Sequence, residues 1–168
     1  MSNSRAVDYD WQAQYLPMIP GIIAPYLLVP ASFEADVREV ADLVVPHMRS
    51  SVSVRLRRRE GNYPPSHFTL RVKKRSGLKT ELTKIVERWG HLMFYGHAGG
   101  GIINPWLLID LHALRAAFMR YPAILHSTND NSICGRLDSG DGGEFMWLDV
   151  DRLPADVVIA RSLPPTPT

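Results

Sequence analysis

The 168-residue chain is poor in cysteine, with Cys134 alone. A single cysteine excludes an internal disulfide and a thiolate-rich zinc site. Its one basic neighbour in sequence is Arg136, so an inert thiol is expected. Long apolar runs are also missing. None approaches the ~18 residues that cross a bilayer, so no membrane partner is expected. The opening MSNSRAVDYDWQ has neither the basic nor the apolar region of a secretory signal. These absences point to a cytoplasmic protein. Metal-binding histidine spacings are lacking as well: His47, His67, His91, His97, His112 and His126 form no HxH, HxxxH or HExxH unit and read as structural. The run AGGGI lacks the strand–GxGxxG–helix context and the lysine of a phosphate-binding loop, so it reads as a turn.

What is present is an ordinary globular balance, 45% apolar and 21% charged, over a length that suits one domain. The charge is unevenly placed. Twelve of the nineteen Lys and Arg residues lie between Arg49 and Arg88, against three acids, giving that stretch +9 and the remainder −7. Such polarity points to a polyanionic partner and says nothing about fold.

In chain order, residues 8–31 carry prolines at 17, 20, 25 and 30, which excludes a long helix. Short turns and extended pieces are expected there, wrapping the core through Trp11, Tyr15, Leu16, Ile22, Ile23, Tyr26 and Leu27. Ser32 caps a predicted helix with Phe33, Val37 and Val40 at helical spacing, before a short strand at Leu43–Val45. In SSVSVRLRRR, Val52, Val54 and Leu56 alternate with Ser53, Arg55 and Arg57, and in HFTLRVKKR, Phe68, Leu70 and Val72 alternate with Thr69, Arg71 and Lys73. Both predict half-buried strands with a cationic outer face. Paired as a hairpin, they would bring Arg55, Arg57, Arg71 and Lys73 to one side. A helix is predicted over 79–89, with Leu78, Leu82, Ile85, Val86 and Trp89 inward. Strands follow at HLMFYGHA and WLLID, then a helix capped by Asp110, a hairpin around SGDGG and a last short turn near 151–154. The expected organisation is one domain over 1–160, comprising a wrap at 8–31, a core at 32–120 and a C-terminal hairpin at 121–160. An extended Pro/Thr-rich tail occupies 161–168. Strands alternating with helices place the chain in the α/β or α+β class, with a central mixed sheet flanked by helices.

The series Asp42-Leu43, Arg55-Leu56-Arg57, Phe68-Thr69-Leu70-Arg71, Ser76-Gly77-Leu78-Lys79-Thr80-Glu81-Leu82-Thr83-Lys84 and Tyr95-Gly96 resembles small phage-type members of the PD-(D/E)XK, restriction-endonuclease-like nuclease superfamily. The resemblance covers roughly residues 33–120. It implies a metal site at the fork of the sheet, with carboxylates holding Mg²⁺ or Mn²⁺ and a cation beside the scissile phosphate. Asp42 takes the place of the metal-binding aspartate. Where the family has Glu-x-Lys this chain has Arg55-Leu56-Arg57, and arginine does not ligate Mg²⁺. Either the site is rebuilt from Asp42 and Glu81 as ligands with Lys84 or Arg57 as the cation, or the fold only binds. In both cases Arg55, Arg57, Arg71, Lys73, Lys74, Arg75 and Lys79 would face DNA or RNA.

Blander readings stand beside these. Glu81 suits the first turn of a helix, Lys84 is its i,i+3 partner, Asp110 is an N-cap, and Asp149 with Asp151 make a turn. Three functions are therefore expected to compete. The first is a metal-dependent nuclease. The second is a non-catalytic phage accessory or anti-defence protein that binds nucleic acid or a host nucleoprotein complex. The third is an assembly protein whose basic face docks on an acidic partner, a second copy included.

Overall fold

The computed structural model describes residues 4–27, 29–30, 43–44, 51–59, 64–126, 133–140 and 142–162. The expected helix after Ser32 and the candidate ligand Asp42 lie outside these residues.

The fold is of the mixed α+β class, with two main sheets rather than one. Strands β3 (Val52–Arg58), β5 (Leu92–Gly99), β6 (Ile102–Asp110) and β9 (Val158–Arg161) form a four-stranded sheet in the order β3-β5-β6-β9. In it β3 runs parallel to β5, and the other pairs are antiparallel. Strands β4 (His67–Lys73), β8 (Glu144–Asp149) and β7 (Cys134–Asp138) form a three-stranded antiparallel sheet in the order β4-β8-β7. A two-stranded antiparallel pair joins β1 (Val29–Pro30) to β2 (Leu43–Val44).

The β3–β4 hairpin expected from the alternating arginines does not form, because the two strands belong to different sheets. Pairing with β8 explains the choice. It sets Phe68 opposite Leu148 and Leu70 opposite Met146, and all four are buried.

The four-stranded sheet has a core on each face. One face presents Leu56, Leu92, Phe94 and Leu108 to Tyr15, Ile19 and Ile23. Those three come from the N-terminal wrap, which is α1 (Ser4–Ala13), a 3-10 turn at Leu16–Met18 and α2 (Ile19–Leu27). Short turns and extended pieces were expected here, whereas two helices of ten and nine residues form, Pro25 lying inside the second. The inward set is narrower than the expected one: Leu16 and Tyr26 are exposed, and Ile19, not singled out, is buried. The opposite face presents Met93, Tyr95, Leu107 and Ile109. They pack with Phe68, Leu70, Met146 and Leu148 of the second sheet and with Ile85, Leu111, Leu114 and Phe118 of two helices. These helices are α3 (Glu81–Val86) and α4 (Leu111–Arg120); a further turn, α5 (Ala123–His126), follows.

Local chemistry sets the element ends. The AGGGI turn is a two-residue hairpin in which Gly100 (φ 61°) and Gly101 (φ 77°) both take the left-handed region that glycine enters freely. Gly96 has a different reason: a Cβ there would meet Ile103 Cγ2 at 2.7 Å. Asp110 is the predicted N-cap, its Oδ1 accepting from the N–H groups of His112 (2.7 Å) and Ala113 (3.0 Å). Asp149 likewise makes the expected turn, accepting from the Asp151 N–H at 3.1 Å. The hairpin around SGDGG is β7–β8. The sequence reading ended near the turn at 151–154, whereas the chain continues into β9, which pairs with β6.

Candidate functional site

Arg55 and Arg57 of β3 point inward, whereas Arg58 is exposed on the other face, 4.5 Å from the centre of the Trp11 ring. Register places Arg55 beside Tyr95 and Arg57 beside His97, so they share the sheet face that meets the second sheet. There three guanidinium groups surround one ring: those of Arg55, Arg57 and Arg71 lie 5.5, 4.6 and 4.3 Å from the centre of Phe145. Arg57 forks onto Thr69, with Nε and Nη2 donating to Oγ1 at 3.2 and 2.6 Å. Thr69 Oγ1 lies 3.3 Å from the Tyr95 hydroxyl. Arg55 is ion-paired with Glu81, whose other oxygen accepts from the Arg71 backbone N–H at 2.9 Å. The expected cationic outer face is thus an inner seam of arginines gathered at Phe145, with Arg57 hydrogen-bonded to Thr69 and Arg55 ion-paired with Glu81. A delocalised, weakly hydrated guanidinium tolerates such a place where an ammonium does not.

Burial comes at an electrostatic cost. Desolvation, and after it the Arg57 charge, pull Arg55 well below the ordinary arginine range to about 9; Tyr95 acts in the opposite sense and Arg71 adds to the drop. The group still carries its charge at neutral pH. His97 is buried, and desolvation followed by the Arg57 charge lowers its pKa below the ordinary 6.5.

This geometry bears on the implied metal. One oxygen of Glu81 is ion-paired with Arg55 and the other accepts from the Arg71 N–H, so a dication there would sit against the Arg55 guanidinium. As arranged, Glu81 does not fit a Mg²⁺ ligand. Among the described residues no group of three or more His, Cys, Asp or Glu side chains is placed to hold a metal ion. Arg57, the alternative cation, is committed to Thr69.

A second group of cations lies outside. Lys73, Arg75, Lys79, Lys84 and Arg88 are all exposed. Lys74 donates from Nζ to the Lys79 carbonyl at 2.9 Å, which ties the turn after β4 to the start of α3. Thr80 caps α3, its hydroxyl accepting from the Thr83 N–H at 3.1 Å. The helix was expected to reach Trp89 but stops at Val86. Arg88 takes a left-handed conformation (φ 67°), with its N–H bonded to the Ile85 carbonyl at 3.0 Å and the Trp89 N–H to the Lys84 carbonyl at 2.8 Å. This is the double-bonded C-cap usually built on glycine, and an arginine there stores about 1 kcal/mol of backbone strain.

The early stop changes which residues are inside. Of the expected inner stripe, Ile85 is buried and Leu82 packs on the core, whereas Leu78, Val86 and Trp89 are 61, 50 and 53% exposed. The Lys79 and Lys84 ammonium groups lie 5.2 and 5.6 Å from the centre of the Trp89 ring. Such exposed contacts are worth about 0.5–1 kcal/mol each. Lys79 also pairs with Glu87 at 2.6 Å. Beside Trp89 is a pocket of about 260 Å³, lined among others by Ser51, Ser53, Glu81 and Lys84. Sequence reasoning missed Trp89 as a surface group. The signal was available in Arg-Trp-Gly at the end of the helical pattern, where Gly90 also has positive φ (75°).

No protein family, curated protein or solved structure matches this chain significantly. No helix among the described residues is long and apolar enough to cross a membrane.

Proposed function

We propose that the protein binds nucleic acid, free or within a nucleoprotein complex, through the exposed cations from Lys73 to Arg88, and does so without cutting it. One observation carries this reading: the described cations of the basic segment include an inner set, Arg55, Arg57 and Arg71, held by Glu81, Thr69 and Phe145, and an exposed set that includes Lys73, Arg75, Lys79, Lys84 and Arg88. The inner set supports the scaffold. The outer set is left to meet phosphates. Glu81 serves as the anchor of Arg55 and Arg71, which favours binding over metal-assisted hydrolysis.

Anisotropy titrations of labelled DNA and RNA across a salt series test the proposal. Affinity should fall steeply with salt, and Lys84→Glu with Arg88→Glu should weaken it at least ~10-fold and reduce the log–log salt slope by about 1.5. Unchanged affinity and slope in that variant would remove the outer cations from the interface. The same mixtures with Mg²⁺ or Mn²⁺, run on a denaturing gel, should contain intact strands. Metal-dependent cleavage that disappears in Asp42→Ala would replace the binding reading with the nuclease one.

A further inference from the structure

Building on that reading, we infer that Trp89 is a stacking platform for an unpaired base, so that the nucleic acid bound is single-stranded. Three observations meet at this residue. The indole is half-exposed although it follows an amphipathic helix, because the left-handed turn at Arg88 breaks the helical spacing that would have turned it inward. Two ammonium groups, of Lys79 and Lys84, lie within 5.6 Å of the ring centre, and the Arg88 side chain is exposed next to it. The adjoining pocket of about 260 Å³ presents Ser51 and Ser53, whose hydroxyls can meet the polar edge of a base. It falls just below the ~300–1,000 Å³ of drug-sized sites, which suits one base.

The combination of an aromatic face with flanking cations is what single-strand binding requires. Every base has a π-face, and the backbone phosphates follow within reach of the lysines. A base stacked on an aromatic ring is held more strongly than an exposed ammonium over the same ring. A stacked base therefore displaces a lysine from the indole, and the released ammonium is free to move to a phosphate. Duplex DNA keeps its bases stacked inside and cannot use the platform.

The test compares a labelled oligothymidine of about 12 nucleotides with a duplex of the same length, within the site sizes typical of such grooves. The intact protein should prefer the single strand, with its tryptophan emission quenched on binding. Trp89→Ala should weaken single-strand binding about 10-fold and leave duplex binding and the salt slope unchanged. Trp89→Phe should retain affinity within about 3-fold, since an aromatic face remains, but lose the quench. Circular dichroism of both variants reports that the fold is kept. If Trp89→Ala binds the single strand as tightly as the parent while Lys84→Glu with Arg88→Glu still loses binding, the platform is wrong and the cationic interface stands. If the parent binds neither strand form at ~0.05 M salt, both fall together.

Discussion

Arg55 and Lys84 belong to the same basic segment and have opposite fates. Arg55 lies between two sheets, beside a phenylalanine ring and against a carboxylate. Lys84 stands in water beside an indole. All three cations of the inner seam are arginines, whereas the exposed set mixes Lys73, Lys79 and Lys84 with Arg58, Arg59, Arg75 and Arg88. The division follows from hydration: a planar guanidinium can stack and fork its donors while partly dry, and a compact ammonium keeps its water. Formal charge, the quantity first visible in the chain, therefore overstates what is available to a partner.

That contrast can be broken from either side. The largest effect is expected at Glu81. Glu81→Ala leaves the Arg55 guanidinium without its carboxylate and the Arg71 N–H without its acceptor, and should lower unfolding free energy by about 3 kcal/mol. This is the low end for a buried pair because both partners keep some contact with water. The double change Arg55→Met, Glu81→Leu should recover much of the loss in urea titrations. A loss below ~0.5 kcal/mol for Glu81→Ala would mark the inner seam as ordinary surface.

A smaller effect concerns His97. Its pKa is lowered in the folded protein, so below about 6.5 the unfolded chain takes up a proton that the native state resists. Stability should then fall as pH drops from 6.5 toward the folded value, with a slope of at most about 1.4 kcal/mol per pH unit from this residue. His97→Gln should flatten that part of the profile. A profile equally steep in the variant would assign the dependence to other groups.

The smallest stability change is expected outside. Lys84→Glu with Arg88→Glu, which should impair nucleic-acid binding, should shift unfolding free energy by no more than about 1 kcal/mol, the size of the lost Lys84–Trp89 contact. A large destabilisation would mean that these cations hold the fold together as the inner ones do.

Much of the element pattern was legible in the chain. Period-two alternation located β3 and β4, turn residues located both later hairpins, and Asp110 marked the start of α4. Alternation reports two unlike faces but not which one is wet, and here the arginine face of β3 turned inward. Helical spacing placed Ile85 and Leu82 on the core, yet Trp89 fell beyond the true end of α3. Strand β9 escaped notice because Val-Ile-Ala-Arg, met after a proline-marked turn, is too short for periodicity to register.

The sequence by itself determined the local preferences and the concentration of charge: which stretches extend, which coil, where the chain turns, and that one quarter of it is strongly cationic. Only the tertiary structure decided which partner each strand found and which cations were left to the solvent. Strand pairing is chosen by what both faces can bury at once. That choice joined Phe68 and Leu70 to β8, enclosed Arg55, Arg57 and Arg71 around Phe145, and left the lysines and Trp89 outside.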